Sequence, residues 1–466
     1  MQRIHPRRAA PARRLVSRLI VFASLAASGC VLAPHGTRDE RARLADAGAE
    51  LVAPRDEAAL PPLPDDADWR DLLQRAFLVN GDLHAAYWEW AAAVSRIDIA
   101  AAYPNTRVAI SFSYLFSSEN MKAWDRTTLV AGTDSMQNLA LPPKVMAAGR
   151  VALADAQAAG ARFAAAKFAL QRRVLDTYLE YALLAERRRL ARADADLLGL
   201  IADSAAGRVR GGAAQSQWTD AEVRRRRVAS ELLDLDAALP QTRAALNALV
   251  GRAPDARLPP PSALPLPRPI ATDADLLAAA TIANPELLAL ARTAEGREDA
   301  LKLARLQVLP DINPFVGITG GIEQMVGAGV MLPTTIVQIR AGIVEARAML
   351  RGAEAEARQT GRDRAADFVA ALAALRNAER QIAYFEDQVL PLAELTSRVA
   401  ARTYSLSATP FSEWIESQRA VIDVRLLIAE ARVQRERWIA DLEALAGLDV
   451  ETLPAAPGSD VGGGQS

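Results

Sequence analysis

Cysteine is nearly absent: the 466-residue chain holds one, Cys30. A lone thiol closes no internal disulfide, which excludes oxidative stapling of the fold. Histidine is almost as scarce, and His5, His35 and His84 have no cysteine or carboxylate cluster around them at metal-ligand spacing. Aromatic residues make up only 5% of the chain, so its 51% apolar content rests mainly on alanine. Such small side chains suit long, closely packed helices better than the core of a globule. Neither sign of charge prevails: 55 lysines and arginines stand against 56 acids, a net charge of −1, which speaks against nucleic acid as a partner. Apart from a short N-terminal stretch, no apolar run reaches the roughly 20 residues of a membrane-spanning helix. Serines lack a Gly-x-Ser-x-Gly context, and no glycine-rich phosphate loop leads into a helix with a lysine. The sequence offers no catalytic residue, cofactor site or metal site, and the chain reads as a non-enzyme.

What is present begins at the N-terminus. Residues 1–18 are arginine-rich without an acidic residue, and Leu19–Ala27 form an apolar run too short to span a bilayer. Small residues Ala26, Ala27, Ser28 and Gly29 follow, with Cys30 directly behind them. An ordinary export signal would account for much of this stretch. The placement of the cysteine resembles a bacterial lipobox, which makes residues 1–29 a lipoprotein signal peptide and Cys30 the acylated first residue of the mature chain. Ala27 stands where the lipobox pattern usually has leucine.

The remainder of the chain repeats itself. Residues 30–68, with Pro61-Pro62-Leu63-Pro64, read as an extended leader. A first repeat, 69–251, opens with a helix expected from about Trp69 to Tyr103, containing Asn80-Gly81-Asp82-Leu83 and stopping at Pro104. Two extended segments follow, 107–116 and another reaching Leu141-Pro142-Pro143, then helices over 145–207 and 217–250. A proline-rich linker, 252–272, leads to a second repeat, 273–447, in the same order. Its first helix contains Asn284-Pro285-Glu286-Leu287 and stops at Pro310. Its glycine-rich extended segments, 311–320 and 325–332, close at Leu332-Pro333, and its long helices cover 337–402 and 411–446. Residues 448–466 read as a disordered tail. The duplication is the most informative feature of the sequence.

The long helices need neighbours along one face. Phe168, Val174, Leu175, Tyr178, Leu179, Leu183, Leu190, Leu198 and Ile201 supply a stripe in the first half, at coiled-coil spacings of three and four. Phe368, Val369, Leu372, Leu375, Ile382, Phe385, Val389, Leu392 and Leu395 supply its counterpart in the second. Arg224–Arg227, flanked by Asp220, Glu222, Glu231, Asp234 and Asp236, reads as a solvated helix face rather than a nucleic-acid patch. In the first extended segment Val108, Ile110, Phe112, Tyr114 and Phe116 face one way, and Ala109, Ser111 and Ser113 the other. Four such strands cannot close a barrel alone, yet an apolar face in lipid demands closure. The strands must be pooled among subunits, or else form a small sheet packed on helices in a soluble periplasmic protein.

Taken in order and duplicated, these elements resemble the outer membrane factor family, the TolC-like trimeric exit ducts of Gram-negative efflux systems, and in particular its lipid-anchored members. The resemblance spans residues 69–447. It rests on Asn80-Gly81-Asp82-Leu83, Ala102-Tyr103-Pro104, Leu141-Pro142-Pro143, Asn284-Pro285-Glu286-Leu287, Leu309-Pro310-Asp311-Ile312, Leu332-Pro333 and the helix opening Phe411-Ser412-Glu413-Trp414-Ile415-Glu416-Ser417-Gln418-Arg419. The family usually shows Tyr-x-x-Gly before that last helix; here Tyr404 is kept, Ser407 replaces the glycine, and Gly212 keeps it in the first half.

The resemblance implies a mainly α protein with a membrane β-barrel: a homotrimer whose twelve strands, four per chain, close in the outer membrane above a helical periplasmic tunnel. Val108, Ile110, Phe112, Tyr114 and Phe116 would face lipid. The helical turns at 207–217 and 402–411 would be periplasmic tips. Arg208, Arg210, Gly212, Arg398, Arg402, Tyr404, Ser407, Phe411 and Trp414 are candidates there for gating or for contact with a periplasmic adaptor protein. That adaptor would link the duct to an inner-membrane RND-type pump, which supplies the energy for export of small solutes. A periplasmic coiled-coil scaffold or adaptor without a barrel is the alternative reading.

Overall fold

The computed structural model describes residues 32–51, 63–64, 66–103, 108–116, 121–133, 139–210, 215–261, 263–265, 267–268, 272–277, 284–321, 323–405 and 411–448. The chain divides into two compact units. Unit 1 comprises Met1–Ala47, Tyr87–Ala161 and Leu287–Gln359; unit 2 comprises Gly48–Ala86, Arg162–Glu286 and Thr360–Ser466.

The elements follow the duplicated order. They are α1 Thr37–Leu51, α2 Trp69–Val79, α3 Gly81–Ala101, β1 Val108–Tyr114, β2 Thr127–Thr133, α4 Pro142–Arg210 and α5 Gln215–Leu249. Then come α6 Pro285–Leu306, β3 Asp311–Thr319, β4 Glu323–Met331, α7 Ile336–Tyr384, a π-helical turn Phe385–Val389, α8 Leu390–Ser405 and α9 Phe411–Ala446. At about 1.5 Å per residue, the 69 residues of α4 make a helix of roughly 100 Å.

Two expectations are corrected. The leader is not extended throughout, since residues 37–51 form α1. This stretch is rich in Ala, Glu, Arg and Leu, which favour helix, and Asp39 and Glu40 lie in its first turn, where they complement the helix dipole. The helix expected over 69–103 is two helices. Asp68 opens α2 with a capping box: its carboxylate accepts from the Arg70 and Asp71 N–H groups at 2.8 and 3.0 Å. Asn80 then closes α2 with an extended backbone, while its Oδ1 accepts the N–H groups of Asp82 and Leu83, both at 3.1 Å. One side chain thus ends a helix and caps the next.

Unit 1 contains the sheet, which is antiparallel throughout in the order β1-β2-β3-β4. Its junction with the helices explains the recurring Leu-Pro motifs. Pro142 starts α4, where a proline costs no helical hydrogen bond. Lys144, buried two residues on, donates to the Leu309 carbonyl and to Asp311 Oδ1, each at 2.8 Å. A bridge between Leu139 and Ile312 joins the same two segments. At the other end of the unit's chain, the Leu32 N–H donates to the Ala101 carbonyl at 2.8 Å.

Unit 2 is packed helix on helix. The first predicted stripe is buried as expected, with Val174, Leu175, Leu179 and Leu198 almost wholly enclosed. Each such leucine contributes about 1.5–3 kcal/mol relative to exposure. A second cluster joins Leu276, Phe368, Leu372 and Leu375 to Ile439, Leu442 and Ala446. The linker is fixed to α9 by a buried charge cluster. Arg268 donates to Glu436 Oε2 at 2.9 Å and to Glu443 Oε1 at 2.7 Å, and its guanidinium lies 5.4 Å from the centroid of the Trp69 ring. Arg435 adds a bond to Glu436 Oε1 at 2.6 Å, and Gln171 one to Glu443 Oε2 at 3.2 Å. The repeated asparagine is again structural: Asn284 Nδ2 donates to the Leu445 carbonyl at 2.6 Å, just before α6.

The second predicted stripe is corrected in part. Phe368, Leu372 and Leu375 are buried, but Leu392 is 64% exposed and Leu395 50% exposed. Between them lies the π-helical turn, closed by the Leu390 N–H bonded to the Phe385 carbonyl. Pro391 follows, with no N–H to give and a ring that crowds the carbonyl four residues back. The wider turn accommodates it and displaces the face by one residue.

Candidate functional site

Two regions carry the expected function, and the sheet is the first. Register divides it into two faces. Ile110, Phe112 and Tyr114 of β1 stand opposite Ala131, Leu129 and Thr127 of β2, and Leu129 and Ala131 stand opposite Ile318 and Val316 of β3. Val316 continues to Val326, and Ile312 to Val330, on β4. This face is apolar and open, with Ile110 73% and Val326 75% exposed. The other face carries Ala109, Ser111, Ser113, Thr128, Gly132, Asn313, Gly317, Thr319, Gly327 and Gly329, so it is mostly small or polar, with Val130, Phe315, Met325 and Met331 as its large apolar side chains. Both edge strands, β1 and β4, present unpaired backbone groups among the described residues. Phe116 lies two residues beyond the end of β1, and its ring meets Tyr114 edge-on at 5.0 Å.

The second region is the pair of helical hairpins in unit 2, α4 to α5 and α8 to α9. They are packed together by a cluster of Leu198, Ile201 and Ala202 from α4, Val228 from α5 and Ile415 from α9, with Trp414 against it. Tyr404 stacks on Trp414, with ring centroids 5.4 Å apart and planes 15° from parallel, so the two arms of the α8–α9 hairpin are joined by aromatic contact. Charge pairs extend this junction. Arg419 grips Asp194 with two bonds, Nε to Oδ1 at 2.5 Å and Nη2 to Oδ2 at 3.2 Å. That hydrogen bonding raises the guanidinium's already high pKa against the opposing cost of burial. Arg224 pairs with Glu416, tying α5 to α9. Beside it, bonds from Arg225 and Arg226 pull the Glu222 carboxyl down to about 2.

No protein-family model matches the chain, and no curated protein matches it either. Solved structures do. VceC, an outer membrane protein of Vibrio cholerae, shares 18% identity with a TM-score of 0.65, over 82% of this chain and 96% of its own. A membrane protein of Pseudomonas aeruginosa shares 19% at 0.67, over 85% and 97%. The MtrE outer membrane channel of Neisseria gonorrhoeae, in its open state, shares 17% at 0.65, over 82% and 89%.

The fold is that of an outer-membrane channel.

Within that channel fold the expected residues fall as follows. Ile110 and Phe112 project from the apolar sheet face, with Tyr114 half-buried; for Val108 only the backbone is described. Trp414 and Tyr404 meet at the hairpin junction, while Arg398 lies exposed with Glu394 3.9 Å away one turn before it. Arg402 is exposed on the last turn of α8. Arg208 and Arg210 end α4 and Phe411 begins α9, their side chains lying outside the described residues. Cys30, Gly212 and Ser407 lie outside the described residues altogether. Sequence reasoning passed over Asp194, Glu416 and Arg419. The last two stand inside the quoted helix opening, but their partners are more than 190 residues away, beyond the reach of any local pattern.

Proposed function

We propose that this chain is one protomer of a trimeric exit duct in the Gram-negative outer membrane, passing small solutes delivered by an RND-type inner-membrane pump through a periplasmic adaptor protein. The observation that carries this reading is the open four-stranded sheet, apolar on one face and small or polar on the other, in a chain with the fold of outer-membrane channels. Long unpaired strand edges beside an exposed apolar face are a liability in water. Three copies joined edge to edge would close twelve strands, turn the apolar face to lipid and leave a lumen lined by the other. No helix among the described residues is long and apolar enough to cross a membrane.

The domain plan is retained on the same footing: a signal peptide over 1–29, a lipid-anchored leader from Cys30 to residue 68, repeats over 69–251 and 273–447 joined by the linker 252–272, and a tail from 448. The lipobox-like placement of Cys30 supports its acylation, and Leu32, two residues on, is tied to Ala101 shortly before β1, so that an anchor at Cys30 would start near the sheet. The hairpin turns at 207–217 and 402–411 would meet the adaptor. Opening would part the hairpins where Arg419 meets Asp194 and Arg224 meets Glu416, a shift between two packed states.

Electron microscopy of protein extracted from outer membranes in mild detergent tests this. Elongated threefold particles with a barrel at one end are expected. Monomers recovered from the soluble periplasm would overturn the duct and leave the scaffold in its place.

A further inference from the structure

The small-residue face of the sheet has one aromatic side chain among the described strand residues, Phe315, and the strands are built around it. One row crosses the sheet from Ala109 to Gly132 to Phe315 to Gly327. A Cβ at Gly132 would lie 2.9 Å from Phe315 Cβ, and one at Gly327 only 2.6 Å from Phe315 Cζ. The ring therefore lies across β4, over a position that only glycine can fill. A phenyl group covering glycine in a neighbouring strand is a known way to pin register. Here the ring is nevertheless 36% exposed.

We propose that Phe315 is a solute-contacting residue of the duct, an aromatic platform on the lumen wall that retards solutes carrying a flat apolar ring. This rests on the exit-duct reading, which makes the small-residue face the lumen. Closing the barrel would not hide the ring. The strand meeting β4 from the next copy would be β1, whose side chains on this face are Ala109, Ser111 and Ser113, too short to cover a phenyl group. Around it the wall carries Thr128, Gly317, Thr319 and Gly329, which offer hydroxyls or bare backbone. Met325 and Val130 flank Gly317, the next residue of β3 on this face, where a Cβ would be 3.1 Å from the methionine Cε and 3.4 Å from the valine Cγ2. Three copies would place three phenyl rings, the only aromatic ones among the described strand residues of this face, at one level of the passage. Aromatic stacking is strong enough to discriminate there by about three- to tenfold.

The test is ion conduction by the full-length protein in planar bilayers, with benzyltrimethylammonium and tetramethylammonium compared as blockers. Wild type should be blocked at about threefold or more lower concentration by the benzyl compound. Phe315→Leu, which keeps bulk over Gly132 and Gly327, should conduct normally and lose that preference. Retention of the preference in Phe315→Leu would overturn the platform and leave the ring as a structural filler. A second variant, Phe315→Cys, guards against a folding defect. A water-soluble methanethiosulfonate reagent should cut its current while leaving wild type and Phe112→Cys unaffected, and no effect at position 315 would overturn the lumen contact. Conducting wild-type channels with either negative result would sink this inference alone. Absence of any wild-type channel would sink the duct reading with it.

Discussion

Trp90 donates its indole N–H to the buried Oε1 of Glu40 at 2.8 Å, holding the first turn of α1 against α3 within unit 1. Arg43 grips the other carboxylate oxygen at 2.9 Å, so the acid is both paired and hydrogen-bonded. The pair has room because residue 160 of α4 is glycine: a Cβ there would lie 2.8 Å from Trp90 Cε2 and 3.0 Å from Glu40 Oε1. Gly160→Ala should displace the indole and cost about 1–3 kcal/mol through overpacking. Thermal unfolding in detergent, with proteolysis of residues 37–51 followed in parallel, should show the lower midpoint and earlier release of α1.

Arg268 is the counter-charge for two enclosed acids, Glu436 and Glu443. Arg268→Ala leaves both buried without their shared partner, and a loss of about 3–5 kcal/mol is expected. Denaturant midpoints at neutral pH measure it. Glu443→Gln should cost less, because its amide still receives the Arg268 N–H while Glu436 keeps the charge pair.

Glu222 sets an acid limit at the base of the α4–α5 hairpin. Its folded pKa is depressed to about 2 from 4.5 by bonds from Arg225 and Arg226. A depressed acid favours the folded hairpin above its unfolded pKa, and that contribution disappears as pH falls from 4.5 toward 2. Relative to the unstructured rate at each pH, hydrogen exchange in α5 should accelerate over this window in wild type. Glu222→Gln should flatten the acceleration.

Arg419 and Asp194 make the most direct charged link between α9 and α4. Arg419→Gln should cost about 1.5–3 kcal/mol, the usual worth of a hydrogen bond to a charged group. In bilayers the variant should open more often than wild type. An unchanged open probability together with the lost stability would mean that the link holds the fold without holding a gate.

Much of this architecture was legible in the chain before any coordinates. The prolines at 142, 310 and 333 punctuate helix and strand by removing an N–H, and period-2 alternation marked β1 and its two faces. The α9 boundaries, Phe411–Ala446, were legible as well. What escaped were features set by distant partners. Nothing near residue 40 announces Trp90, so proline content made the leader look extended. Asn80 looks like one motif residue within a helix, and its capping bonds emerge only with backbone angles. The hairpin junction was legible through Trp414 and Tyr404, but its ion pairs link repeats far apart in sequence, which periodicity cannot register. Phe315 was hidden in segments legible only as glycine-rich and extended, two of whose neighbouring glycines, Gly132 and Gly327, make room for its side chain.

The π-helical turn at Phe385–Val389 has a consequence for how changes in this chain can act. One surplus residue in a regular helix would rotate everything beyond it by about 100°, and the wider π turn takes it up locally, so that only the numbering of the face shifts by one. Residues before Phe385 and after Val389 therefore keep separate angular bookkeeping, and Leu375 and Leu392 belong to different circumferential phases despite a spacing that suggests one seam. A substitution within the turn alters a side chain. Removing a single residue from it would close it to an ordinary α-helical turn and leave Arg398, Arg402 and Tyr404 at their bearings, whereas the same deletion in the regular turns upstream would swing all that follows by about 100°. The helix thus contains one place where a change of length is absorbed instead of being passed on to the hairpin.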